Sequence, residues 1–169
     1  MDKSGFSAVG PTPRRAALST RALVYAGVIA AAYVVVTLAV APLAYGPLQF
    51  RVSNLLKPLA LLHPVFALSF GLGTFLTNTV SPFGVWDQMV MPLVDVAAAL
   101  LCWQLRRWPV VAVLVQAMVI SLGVAVFPLG MGAGLPFLPT FAAVVVPQAV
   151  LLMAGYFLLV RGRYWQEHQ

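Results

Sequence analysis

The sequence predicts an all-α polytopic membrane protein, a bundle of six transmembrane helices with both termini cytoplasmic. Composition is the first reason. The 169 residues are 62% hydrophobic and 8% charged, where soluble domains have roughly 45–50% apolar and about 25% charged residues. Ten Lys or Arg and four Asp or Glu cannot cover the surface of a soluble fold. Long uncharged runs are the second reason, and the placement of the basic residues is the third. The +6 net charge presents no basic face suited to phosphates, which argues against nucleic-acid binding. A lone Cys102 permits no internal disulfide, and two histidines without Cys neighbours give no zinc pattern.

The first span is Ala22 to Ala41, twenty residues without a charge. At about 1.5 Å per residue it crosses a hydrocarbon core of roughly 30 Å. Ala39-Val40-Ala41 resembles a signal-peptide cleavage site, but the run exceeds the usual h-region of roughly 7–15 residues. Pro42 would follow the cut directly, so the helix is read as retained. Later spans are Gln88 to Leu105, Pro109 to Phe127 and Thr140 to Val160. Pro109 suits a first helical turn, where its missing N–H costs nothing.

Phe50 to Thr79 holds one span or two, and the positive-inside rule decides for two. Lys3, Arg14, Arg15, Arg21, Arg106, Arg107, Arg161 and Arg163 then all face the cytoplasm. With His63-Pro64 as an inner turn, the second helix runs from about Ser53 to Leu62 and the third from Val65 to Thr79. Ten α-helical residues span only about 15 Å. The second helix therefore either starts near Gln49 or follows a segment dipping into the bundle, beside a polar cavity.

The outer connections, Pro42 to Val52, Val80 to Asp87 and Pro128 to Pro139, are long and rich in Pro and Gly. Loops of this kind carry binding residues. The domain assignment is a disordered cytoplasmic tail at 1–20, one six-helix membrane domain at 21–163 and a cytoplasmic tail at 164–169.

Polar residues inside such a bundle need an explanation. Asp87 and Asp95 are the two acids in the body of the chain, eight apart and on one helical face. Asp87 reads either as a helix N-cap or as a site residue. Asp95 reads as functional, with an ion pair to Lys57 as the alternative. Arg51 lies among Gln49, Ser53 and Asn54, which together offer donors and acceptors to a small planar ligand. Its other reading, shared with Lys57, is an interfacial anchor. Asn78 and Gln148 are ligand contacts or interhelical glue.

Trp103, Trp108, Tyr164 and Trp165 read as an inner interface belt. Tyr45, Phe50, Phe83, Trp86 and Phe137 either stack on a flat ligand or sit at the outer interface. Ala22, Ala26 and Ala30 form a small-residue strip on the first helix, for packing in the bundle or for docking a separate subunit. No Gly-x4-Gly-Lys-Ser/Thr loop is present, so the chain lacks that means of hydrolysing a nucleotide. No catalytic triad and no metal set is visible, and neither an enzyme nor a cofactor is expected.

Ala44-Tyr45-Gly46-Pro47-Leu48-Gln49-Phe50-Arg51-Val52-Ser53, after an Ala-rich first helix, resembles the QueT-type queuosine-precursor transporter family. The likeness runs from about Tyr25 to Leu101. It implies a substrate-binding S component of an energy-coupling factor (ECF) importer in a bacterial plasma membrane. The implied ligand is a deazaguanine base or a similar vitamin-like molecule. The implied partners are a transmembrane coupling subunit, docked through the alanine strip, and ATPase subunits. The substrate-binding set is then Gln49, Arg51, Asn54, Asn78, Asp87, Asp95 and Gln148. Two departures stand out: Asn54 replaces the Glu common after the Ser, and Pro147-Gln148 replaces a Gly-Glu pair. Both remove negative charge, which favours a neutral ligand over a cationic aminomethyl form. The alternative to this function is a non-transporting membrane scaffold that docks a partner through helix one.

Overall fold

Among the described residues, the buried charges are two acids paired with two bases, Arg51 and Lys57, at the start of and within one short segment that other helices surround. The computed structural model describes residues 19–46 and 49–162, and among these it contains helices and no strand. The expected tails at 1–20 and 164–169 lie outside the described residues, except that Ser19 and Thr20 open the first helix. α1 spans Thr20–Ala39, and the Ser19 hydroxyl accepts from the Ala22 N–H as its N-cap. α2 is a single turn, Ala41–Ala44. Then come α3, Phe66–Thr77, α4, Met91–Gln104, α5, Pro109–Val126, and α6, Phe137–Gly155.

Three of these helices continue into wider π turns. Trp86–Val90 precedes α4, Phe127–Gly132 follows α5, and Tyr156–Val160 follows α6. Proline accounts for two of them. Pro92 and Pro128 have no N–H for the carbonyl four residues back, and a wider turn spares the ring clash an α-helix would impose. The span expected to end at Phe127 therefore reaches Gly132, and Pro128 lies inside it. The last span starts at Phe137 rather than Thr140, with Pro139 in its first turn.

Four helices are long and apolar enough to cross a membrane: Thr20–Ala39, Trp86–Gln104, Pro109–Gly132 and Phe137–Val160. A shorter apolar helix covers Phe66–Val80. The expected second helix is different in kind: Val52–Leu61 forms a 3-10 helix rather than an α-helix. At about 2.0 Å per residue, ten residues reach roughly 20 Å instead of about 15 Å. Pro58 lies inside it and offers no N–H to the Leu55 carbonyl. Side chains three apart are eclipsed in a 3-10 helix, so Asn54 and Lys57 share one face, with the cap residue Arg51 three positions before them.

This 3-10 segment touches α1, α3, α4, α5 and α6. Around it α1 packs on α3, α3 on α4, α4 on α5 and α5 on α6. The outward faces are apolar: Val24, Val28, Leu93, Leu114, Leu138 and Leu158 are exposed. The interior holds Arg51, Lys57, Asp87, Asp95, Gln116 and Gln148. Apolar surface outside and charge within is the distribution expected of a multi-pass membrane protein.

Candidate functional site

The polar face of the 3-10 segment meets α4 on one side and α6 on the other, and a small cavity remains between them. Its lining is Gln49, Arg51, Asn54, Lys57, Met91, Asp95, Ile120, Val124 and Gln148, and its volume is about 10 Å³. That is room for about one water molecule. Five of the seven expected substrate residues line it: Gln49, Arg51, Asn54, Asp95 and Gln148.

Asn78 and Asp87 stand outside the cavity and hold Arg51. The Arg51 Nη2 donates to both Asp87 carboxylate oxygens, at 3.3 and 3.1 Å. Ser81 donates to the same carboxylate. The Asn78 side-chain amide donates to the Asp87 backbone carbonyl at 2.7 Å. Asp87 makes no capping bond at its helix start, so the N-cap reading gives way to an ion pair. Both partners are buried, which also removes Arg51 from the role of an interfacial anchor. The Tyr45 ring lies 5.2 Å from the Arg51 guanidinium carbon. Burial pushes the Tyr45 phenol above its ordinary range. It thus stays protonated and donates to the Thr77 carbonyl at 2.5 Å.

The second ion pair is deeper. Lys57 Nζ lies 2.6 Å from Asp95 Oδ1, both groups are about 2% exposed, and Thr74 donates to the other carboxylate oxygen. The ammonium also sits 5.6 Å from the Tyr33 ring centroid. Lys57 therefore pairs with Asp95 rather than snorkelling to a membrane surface.

Between the two ion pairs lies an amide pair. Asn54 Nδ2 donates to Gln148 Oε1 at 2.6 Å, and Tyr33 Oη donates to Asn54 Oδ1 at 3.2 Å. Thr37 and Ser53 share a 2.6 Å bond one turn away, so α1 is bound to the segment at two points. Tyr33, Thr37 and Thr74 were not among the expected site residues. Hydroxyls inside apolar runs commonly bond their own helix, so nothing in the sequence singled them out.

Gln49 completes the site. It has φ +50°, a left-handed conformation that costs a non-glycine residue of order 1 kcal/mol. Its side chain is buried, and neither Nε2 nor Oε1 has a partner. The Arg51 Nε is likewise buried and unpartnered. Unsatisfied buried groups cost about 1–3 kcal/mol each, so a cluster of them on a cavity wall favours a ligand.

The expected aromatics do not line the cavity. Trp86 stacks with Phe127 and Phe137 with Phe141. Tyr164 and Trp165 lie outside the described residues. Ala26 and Ala30 are buried against the bundle, and Ala22 is half-buried one turn earlier. Beside them an open groove runs between α1 and α3, lined by Leu23, Gly27, Leu68 and Leu72.

Comparison with family models gives one match, to the QueT transporter family, over residues 23–161. Neither a curated protein nor a solved structure matches the chain. A match of that extent, joined to a lipid-compatible exterior and a polar interior, is sufficient: the chain belongs to the QueT transporter family, a family of membrane transporters rather than enzymes.

Proposed function

We propose that this protein is the substrate-binding S component of an ECF-type importer, and that it captures a deazaguanine queuosine precursor or a similar small heterocycle from outside. It would be a six-helix protein of a bacterial plasma membrane, with both termini cytoplasmic and 21–163 forming one membrane domain. A transmembrane coupling subunit, docked along Ala22, Ala26 and Ala30, and ATPase subunits would supply the energy. The observation that carries the reading is the cavity wall itself. Gln49 and Arg51 present buried, unpartnered donors and an acceptor, as recognition of a planar polar ring requires. Asn54, Asp95 and Gln148 complete the wall, with Asn78 and Asp87 fixing Arg51 from behind. A bicyclic base is larger than the cavity, so the lining side chains part to admit it.

Thermal melting of the purified chain in detergent against a deazaguanine panel tests this, since a ligand of the folded state raises the melting temperature. At 100 times its Kd a ligand adds about 2.7 kcal/mol of stability. Absence of any shift and of any calorimetric binding would remove the substrate assignment.

Gln49→Gly supplies a second test. Glycine relieves the left-handed strain but gains entropy in the unfolded chain, so stability is expected to stay within about 1 kcal/mol. Affinity for the best deazaguanine is expected to fall by about tenfold or more, the equivalent of a lost side-chain hydrogen bond or two. Unchanged affinity would exclude Gln49 from the site.

A further inference from the structure

We propose that the cavity selects an uncharged ligand with a donor and acceptors along one edge, and that the Asn54–Gln148 amide pair sets this choice against cations. The proposal rests on the substrate-binding reading above and adds the charge of the ligand to it. The charges around the cavity balance pair by pair. Asp87 is committed to Arg51 and Asp95 to Lys57, at 3.1 and 2.6 Å, and all four groups are buried. The other polar side chains on the wall are three amides, Gln49, Asn54 and Gln148.

No carboxylate is therefore left over for an incoming cation. Such a ligand would lose its hydration beside an ammonium and a guanidinium that are already present. An uncharged ring meets the opposite situation. Gln49 offers two free N–H donors and one free carbonyl on its amide, and Arg51 offers one free N–H. These suit a ligand edge with acceptors beside a donor, the pattern of a lactam fused to an amine-bearing ring.

Asn54 and Gln148 are the positions that keep the wall neutral. They lie on different elements, bond directly at 2.6 Å, and Tyr33 fixes the Asn54 orientation. A carboxylate at Gln148 would add negative charge to the wall without an added base to neutralise it. That single change should admit a cation.

The test uses two 7-deazaguanines that differ only in the 7-substituent, one a neutral nitrile and one an aminomethyl group, with the full chain in detergent and calorimetric detection. An alkylammonium group has a pKa of about 10, so entry as the free base at pH 7 weakens binding by up to about 1,000-fold. The nitrile is expected to bind 100-fold or more tighter at pH 7. Affinity for the aminomethyl compound should rise about tenfold per pH unit between pH 7 and 9, while that for the nitrile stays flat. Gln148→Glu should strengthen aminomethyl binding at pH 7 by about tenfold or more and weaken nitrile binding. If that variant does not fold, the two probes and their pH slopes on the unaltered protein decide the question. Equal or tighter binding of the cation at pH 7 overturns this inference and leaves the substrate-binding reading standing. If neither compound binds, the deazaguanine reading fails and the inference fails with it.

Discussion

Asp95→Ala is expected to destabilise the protein by about 3–5 kcal/mol, because it strands the Lys57 ammonium in the interior. Lys57 lies 2.6 Å from Asp95, its ammonium otherwise faces the Tyr33 ring, and Met91, Ile120 and Val124 line the same cavity. Asp87 cannot substitute, since Arg51 and Ser81 already occupy it. Lys57→Met is expected to cost a similar amount by leaving the Asp95 carboxylate with Thr74. Replacing both charges by apolar side chains should behave differently. Lys57→Met with Asp95→Leu removes both charges and fills the space with apolar atoms, which is often neutral or stabilising for a buried pair. The measurement is the melting temperature of all four proteins in one detergent. A double variant that melts as low as either single variant would show that the loss is not one of charge pairing.

The parts of the fold legible in the sequence were those governed by length and charge. Apolar runs located the four long spans to within a few residues. Two of the starts that shifted have local causes: Ser19 caps α1 before Ala22, and Pro139 sits inside the first turn of α6 rather than ahead of it. The second helix obeys a different period. Its ten residues are too short for an α-helix of membrane depth, and a 3.6-residue period does not align its polar positions. The polar residues Arg51, Asn54 and Lys57 recur every three positions, and that period is the mark of a 3-10 helix. Pro92 and Pro128 likewise marked two of the π turns, while nothing in Tyr156–Val160 explains the third.

The buried polar residues were legible one by one and not as a network. An intramembrane acid and base invite pairing, so Lys57 with Asp95 could be anticipated. Arg51 with Asp87 could not, because the pair joins two loop-to-helix junctions 36 positions apart whose approach depends on packing. Asn54 and Gln148 are 94 positions apart, and neither amide by itself distinguishes a ligand contact from interhelical glue. Tyr33 and Thr74 carry no signal at all in an apolar run, although they hold Asn54 and Asp95 in place. Burial turns these separate residues into one site, and burial is a property of the whole bundle.

Gly155→Ala is expected to be more damaging than most larger changes elsewhere in the chain. A Cβ on Gly155 would stand 2.0 Å from the Leu55 carbonyl oxygen, 2.8 Å from its carbon and 3.0 Å from its Cα. All three atoms are backbone, so no side chain can rotate away. The Leu55 carbonyl is the one that Pro58 leaves without its 3-10 donor, and its closeness to α6 depends on the missing side chain. Overpacking a core usually costs about 1–3 kcal/mol, and an overlap with backbone should lie at the upper end or above. Leu55 adjoins Asn54, so separation of α6 from the 3-10 segment should also break the 2.6 Å bond to Gln148 and open the cavity wall. Gly27→Ala is the control. A Cβ there meets nothing within 4 Å, and alanine inside a helix should gain about 1 kcal/mol over glycine. Melting in detergent should therefore move in opposite directions for the two glycines. If Gly155→Ala melts with the unaltered protein, α6 does not approach the 3-10 segment this closely, and the Asn54–Gln148 pair loses the packing that holds it.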